Sequence, residues 1–276
     1  MTHEYFSIRT GINKNTNGLD LDSLKELILR VYDEFVSEGY FDEQFGFWCV
    51  DEQDVPGQIK DIELEILLKI RKRNLWPIRE KINTYSEDDL FDIIEFLHQN
   101  VSKPIDGEYH NYNQCGMHWH TFNKKDGQAI YREKINLVLD LYKHRFELSE
   151  MGELLHKSKK GFEQIFKADI PTKDENITSR IESSILSYRR HGATLDDRRN
   201  AVRDLSDVLE YLRQKVKGLI TKEDENDLFN LANNFGIRHH NDKQKTNYDA
   251  ALWLSWMFYY YLATIHVLLR KMEKET

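Results

Sequence analysis

The sequence predicts a mainly α protein of two domains: a mixed, mostly helical amino-terminal domain and a carboxy-terminal up-and-down four-helix bundle. Three observations predict this fold class. The chain has 276 residues, which is long for one domain and comfortable for two. Apolar residues make up 40% of the chain and charged residues 31%, with only four prolines, so the composition favours neither disorder nor a fibrous repeat. Apolar residues also recur at steps of three and four, which is helical spacing.

The amino-terminal domain is predicted to cover residues 1–170. Its predicted helices run over residues 19–38, 62–70, 86–99 and 128–142. The third of them begins at Ser86, which is followed three residues later by Asp89 in the pattern of a capping box. Residues 101–127 lose this periodicity, and the sequence HWHTF within them alternates as a short strand does. The domain is therefore mixed rather than purely helical.

The carboxy-terminal domain is predicted to cover residues 171–276, because a basic run, KSKK, and then Pro171 interrupt the pattern. Four helices follow, at about 177–190, 196–220, 223–238 and 249–272. Most of their connections are short, which favours antiparallel neighbours in a bundle. The polar sequence HHNDKQKTNY links the last two helices, and polar loops on rigid scaffolds are common positions for functional sites.

Charge and cysteine content restrict the partners and the compartment. The net charge of −8 argues against a protein that coats nucleic acid by bulk attraction. Residues 171–276 carry 17 Lys and Arg against 16 Asp and Glu, which leaves 22 against 31 for residues 1–170. The second domain is thus the better candidate for binding a polyanion. The chain has two cysteines and no leader-like segment, so we expect a reducing, cytoplasmic location.

Both domains resemble known families. Residues 86–153 contain DLFDIIEFLHQNVSKP, HNYNQCGMHWHTF, GQAIYREKINLVLDLY and FELSEMGEL in that order, and they resemble the amino-terminal domain of AbiJ-type abortive-infection proteins. The sequence NNFGIRHHNDKQK before the final apolar helix resembles the active segment of a HEPN domain, a four-helix bundle found in toxin and antiviral ribonucleases. The resemblance implies a defence protein that cleaves RNA without a metal or cofactor.

The resemblance implies that Arg238, His239 and His240 are the catalytic residues. A histidine can move protons near neutral pH, and a guanidinium can bind two phosphate oxygens of the transition state. The family pattern places a His five or six positions after the Arg, whereas here no Arg has a His at that distance. Adjacent helical residues point in different directions, so either the helix ends near Arg238 or the site is shared across a dimer. Alternatively, Arg238 and His239 cap the helix carboxy terminus.

Lys243 and Lys245 follow these residues and are candidate RNA-phosphate contacts, although they also fit a solvated loop. In the second bundle helix, Arg198, Arg199 and Arg203 lie among aspartates, as in intrahelical ion pairs. His191 precedes Gly192 and is interpreted as a helix end.

A second group of candidate ligands lies in the strand region. Its members are His110, Cys115, His118 and His120. These side chains can in principle bind zinc, but the spacing is not that of a familiar finger, and Cys115 does not obviously join the two strand histidines. We therefore expect an ordinary polar cluster, with no metal and no cofactor.

Residues 250–269 form an apolar stretch without a formal charge. The length permits a membrane span, but polar-tipped aromatics in its middle favour the centre of a bundle that dimerises. We therefore expect RNA, a second copy of the chain and a partner protein of a defence system as partners, and no membrane. Two alternatives remain: an inert HEPN-like module that binds RNA or protein, and an interaction protein that uses the acidic first domain.

Overall fold

The computed structural model describes residues 5–12, 18–157, 162–215, 221–223, 226 and 249–275. Within them the protein is mainly α, as predicted, with three small sheets of two strands each, the first two of which are antiparallel. The chain divides into two compact units, one ending at Leu154 and the other beginning at Leu155. The predicted division between residues 170 and 171 therefore falls inside the second unit.

The first unit contains seven described helices and most of the strands. The helices are α1 (Phe6–Arg9), α2 (Leu21–Ser37), α3 (Asp42–Phe45), α4 (Ile62–Ile70), α5 (Ile78–Lys81), α6 (Glu87–Asn100) and α7 (Lys124–Leu139). The strands are β1 (Phe47–Cys49), β2 (Gln53–Val55), β3 (Lys103–His110), β4 (Gly116–Asn123), β5 (Phe146–Leu148) and β6 (Leu154–His156), the last of which crosses the unit boundary. These bounds confirm the predicted helices and the predicted strand at HWHTF.

Local capping fixes where the main helices begin. Asp20 accepts a hydrogen bond from Ser23 N at 2.9 Å, and this bond lowers the pKa of the Asp20 carboxyl. Ser86 and Asp89 form the predicted capping box at the start of α6. From these starts, α2 and α6 bury their apolar faces in a core shared with α7.

Helix α7 begins four residues before its predicted start at Gln128, because Asn123 caps it by accepting from Asp126 N at 3.1 Å. Gly127 in its first turn is buried against the backbone of Ser102 and Lys103. A Cβ atom at Gly127 would come within 2.5 Å of Lys103 N. The glycine therefore permits the close approach of this helix to the start of β3.

The second unit is a packed helical array. Its described helices are α8 (Glu163–Lys167), α9 (Glu175–Arg189), α10 (Leu195–Lys215) and α11 (Ala250–Glu275). The last three confirm the predicted helices that begin near 177, 196 and 249. Most of the predicted third helix, 223–238, lies outside the described residues.

Helix α11 provides much of the core of this unit. Leu254, Phe258, Tyr261 and Ile265 are fully buried, and the Phe258 ring stacks on that of Tyr188 in α9 at 4.0 Å between centroids. Helix α11 is also long and apolar enough to cross a membrane by length and composition, although half of that window is buried within the protein. A helix with buried large side chains along its length is typical of a bundle core.

The earlier unit boundary has a physical cause. Ile165, Phe166 and Ile170 pack against the core of the second unit, and the Phe166 ring lies 6.2 Å from that of Phe258. The segment before Pro171 is polar in sequence, but its few apolar side chains pack against the core formed by the helices that follow.

Candidate metal centre and the predicted catalytic segment

The predicted catalytic and RNA-binding residues lie between the described helices α10 and α11. Arg238, His239, His240, Lys243 and Lys245 are all outside the described residues. Their roles therefore stay predictions.

The second unit gathers several cationic side chains at the end of α9. Arg189 Nε donates to the carbonyl oxygen of His156 at 3.1 Å, and the His156 and His191 rings lie 5.4 Å apart. Arg198 lies over the Tyr188 ring at 5.6 Å, whereas Arg199 forms the predicted intrahelical pair, with Asp196 at 2.5 Å. His191 follows the end of α9, as predicted. Arg189 is buried and Arg198 is only partly exposed, so these side chains mainly make contacts within the unit.

In the first unit, strands β3 and β4 form an antiparallel ribbon that positions two histidines. His110 pairs with Gly116 at the end of the ribbon, and His118 pairs with Glu108 two residues further along. The turn between the strands contains two residues with positive φ, Asn113 at 49° and Gln114 at 55°, followed by Gly116 at 113°. Such backbone angles are uncommon for non-glycine residues and make the turn tight. The tight turn folds Cys115 back toward β4, where its Sγ lies 3.3 Å from His118 Nε2.

The hairpin of β1 and β2 supplies the other cysteine. Cys49 ends β1 opposite Gln53, and its side chain is buried. The Asp51 backbone N–H donates to Cys49 Sγ at 3.4 Å. Cys49 Sγ lies 3.8 Å from His110 Nδ1, which brings the hairpin against the ribbon.

The four side chains converge on one point. The ligand atoms of Cys49, His110, Cys115 and His118 all lie within 4.8 Å of one another. The His110 and His118 rings are 5.0 Å apart at 66°, and both cysteines are free thiols. The Phe47 ring lies 4.8 Å from the His118 ring and provides an apolar wall.

Asp51 lies beside one of these histidines. Its Oδ2 is 3.1 Å from His110 Nε2. In the tautomer with the proton on Nε2, the Nδ1 atom of His110 presents a lone pair toward Cys49. The same residue thus contacts Cys49 through its backbone and His110 through its side chain.

This geometry corrects the sequence interpretation of the cluster at three residues. Cys115 does join His118, because the positive-φ turn reverses its direction. His120 lies apart from the group, because it is exposed and falls at the register irregularity between the pairs Asp106–Thr121 and Gly107–Trp119. Cys49 was missed because it lies 61 residues before His110. The available clue was that it is the only other cysteine in the chain.

Comparison with known proteins adds no assignment. A scan against protein-family models found no match, and searches of the curated proteins and of the solved structures found none either. The function is therefore argued from the residues themselves.

Proposed function

We propose that the protein is a cytoplasmic defence protein of the abortive-infection type. Its second unit is a HEPN-like bundle that cleaves RNA without a metal, and it acts as a homodimer. The first unit senses or regulates this activity. The sequence resemblance of the two halves supports this proposal, together with the helical character of the second unit.

The observation that carries the proposal is the packing of α9, α10 and α11. These helices share one apolar core, in which α11 is deeply buried. Residues 238–245, which carry the predicted catalytic and RNA-binding residues, precede α11 by a few positions in the chain.

The chemistry assigned to this segment needs no metal. Arg238 binds the phosphate oxygens as negative charge develops, and His239 or His240 transfers protons between the ribose 2′-hydroxyl and the leaving oxygen. Lys243 and Lys245 contact neighbouring phosphates.

Single-residue variants test the proposal. Purified protein is incubated with total RNA in buffer without divalent ions, and the products are examined for a 2′,3′-cyclic phosphate end. We expect Arg238→Ala, and one of His239→Ala and His240→Ala, to lower the cleavage rate about a hundredfold or more. Arg30→Ala is the matched control, because Arg30 forms only an exposed pair with Glu26 on α2. Equal cleavage by the wild type and all three catalytic variants would exclude this site.

One observation favours a second candidate function, a catalytically inert module that binds RNA or a protein. No Arg in the chain has a His at the spacing of the HEPN pattern. Gel-shift and cleavage measurements on the same preparation separate the two functions. RNA binding without cleavage by the wild type, weakened by Lys243→Ala and Lys245→Ala, would support the inert module.

A further inference from the structure

We propose that Cys49, His110, Cys115 and His118 bind one Zn²⁺ ion in a closed structural site of the first unit. The four side chains come from two separate ribbons, and their ligand atoms converge within 4.8 Å. This inference goes beyond the proposed ribonuclease activity and does not depend on it.

The separations of the ligand atoms fit a tetrahedral zinc ion. With Zn–S near 2.3 Å and Zn–N near 2.0 Å, ligand atoms of a tetrahedron lie about 3.3–3.8 Å apart. Cys115 Sγ and His118 Nε2 are 3.3 Å apart, and Cys49 Sγ and His110 Nδ1 are 3.8 Å apart. Small side-chain rotations suffice to bring the remaining pairs from at most 4.8 Å to this range.

The ligand types favour zinc over other metals, and their arrangement favours a single ion over a two-iron cluster. Two thiolates and two imidazoles in a tetrahedron favour Zn²⁺ among the common metals. A two-iron cluster with the same residue types would hold both cysteines on one iron and both histidines on the other. Here each close pair is one cysteine and one histidine, so all four ligands face one point. Because four protein ligands leave no open position, the site is structural rather than catalytic.

Asp51 supplies the outer contacts that zinc ligands commonly have. Its carboxylate at 3.1 Å from His110 Nε2 orients the imidazole so that Nδ1 faces the ion. Its backbone N–H lies 3.4 Å from Cys49 Sγ, where it would also donate to the metal-bound sulfur. One residue thus contacts two of the four ligands.

The ion would also stabilise an otherwise weak part of the fold. Strands β1 and β2 have three residues each, and β3 and β4 form a separate two-stranded ribbon with many exposed side chains. Isolated two-stranded hairpins are marginally stable in water. One ion with Cys49 from the first hairpin and three ligands from the second would join the two ribbons through coordinate bonds and so stabilise both.

Metal content tests the proposal without reference to activity. The full chain, produced without a polyhistidine tag, is analysed by elemental mass spectrometry after dialysis. We expect about one zinc per chain in the wild type and at least a tenfold lower zinc content in Cys49→Ser, Cys115→Ser and His118→Ala. His120→Ala is the matched control, because His120 lies two residues from His118 on the same strand but outside the cluster. It should keep the wild-type zinc content.

A second variant tests the proposal without replacing a ligand, because loss of a ligand can unfold a metal-stabilised unit. Asp51→Asn leaves all four ligands in place and should weaken zinc affinity about 10- to 100-fold in competition with a chromogenic chelator. Cobalt added to the metal-free chain should give the visible bands of tetrahedral Co²⁺ and a thiolate charge-transfer band, the latter lost in Cys115→Ser.

Four outcomes would overturn the proposal. The first two are that the wild-type chain takes up no zinc when zinc is added, and that His120→Ala loses as much zinc as His118→Ala. The other two are that the chain binds about two iron atoms instead of zinc, and that Cys49 and Cys115 form a disulfide with no metal bound. None of them bears on RNA cleavage. Loss of cleavage in Arg238→Ala with full zinc content would likewise leave the zinc site intact.

Discussion

His98 makes the stability of the first unit depend on pH. Its side chain is 2% exposed at the end of α6, its ring lies 6.3 Å from that of Tyr131, and its Nδ1 has no hydrogen-bond partner among the described residues. Burial, followed by the charges of Arg132 and Lys124, lowers the pKa of His98 to about 4 from its ordinary value of 6.5. The native unit therefore holds this histidine neutral.

The direction of the effect follows from proton binding. Between pH 6.5 and 4 the unfolded chain binds a proton at His98 that the native unit excludes, so the free energy of unfolding falls as pH falls through this window. Above pH 6.5 the contribution of His98 is complete. At about 1.4 kcal/mol per unit of pKa, the loss between pH 7 and pH 4.5 is about 2 kcal/mol.

The assay compares the wild type with His98→Leu, which fills the site with an apolar side chain that does not titrate. Trp253→Phe and Trp256→Phe are introduced into both the wild type and the His98→Leu variant. The remaining tryptophans all lie in the first unit, so their fluorescence reports its unfolding in urea. Between pH 7 and pH 4.5 the free energy of unfolding should fall by about 2 kcal/mol more in the wild type than in His98→Leu. Equal slopes in the two chains would refute the argument that His98 is held neutral.

Three further predictions concern other positions. Burial raises the pKa of Asp42 to about 6, so the ionised carboxylate destabilises the native unit at neutral pH. Asp42→Asn should therefore raise the free energy of unfolding by about 1–2 kcal/mol at pH 7 and change it little at pH 3.5. The same tryptophan signal measures both values. Gly127→Ala should destabilise the first unit by about 1–3 kcal/mol, because the added Cβ meets backbone at 2.5 Å; an unchanged thermal midpoint would contradict this reasoning. Trp256 is 42% exposed on α11 and is a candidate contact of the proposed dimer. Sedimentation velocity at micromolar concentration should show a dimer for the wild type and a monomer for Trp256→Glu. A monomeric wild type would exclude this dimer interface.

Much of the fold followed from local pattern. The helical spacing of apolar residues identified α2, α4, α6 and α11, and the capping box at Ser86 fixed the start of α6 to the residue. These features depend on side chains within one or two turns of each other, which a sequence displays directly. The unit boundary did not follow, because Phe166 belongs to the second unit through a long-range contact with Phe258.

For the candidate metal centre too, the sequence displayed what neighbouring residues determine and not what long-range packing determines. The sequence displayed three of its ligands, since His110, Cys115 and His118 lie within nine residues, but it did not show that Cys115 joins the histidines. The turn at Asn113 and Gln114 adopts positive φ, which their residue types permit but do not require. Cys49 joins the cluster only through the packing of two hairpins, and no local pattern encodes a contact across 61 residues.

The attachment of Leu19 to the end of α7 has a consequence for synthesis of the chain. Leu19 N donates to Leu141 O at 2.7 Å, Lys143 N donates to Leu19 O at 3.0 Å, and Lys134 pairs with Glu34 across 100 residues. Helix α2 thus obtains this part of its packing only after α7 has left the ribosome. At about 5–20 residues per second, the surface of α2 that packs on α7 stays uncovered for roughly 5–20 s after α2 is made. Its partners at Arg79 and Asn83 are synthesised sooner.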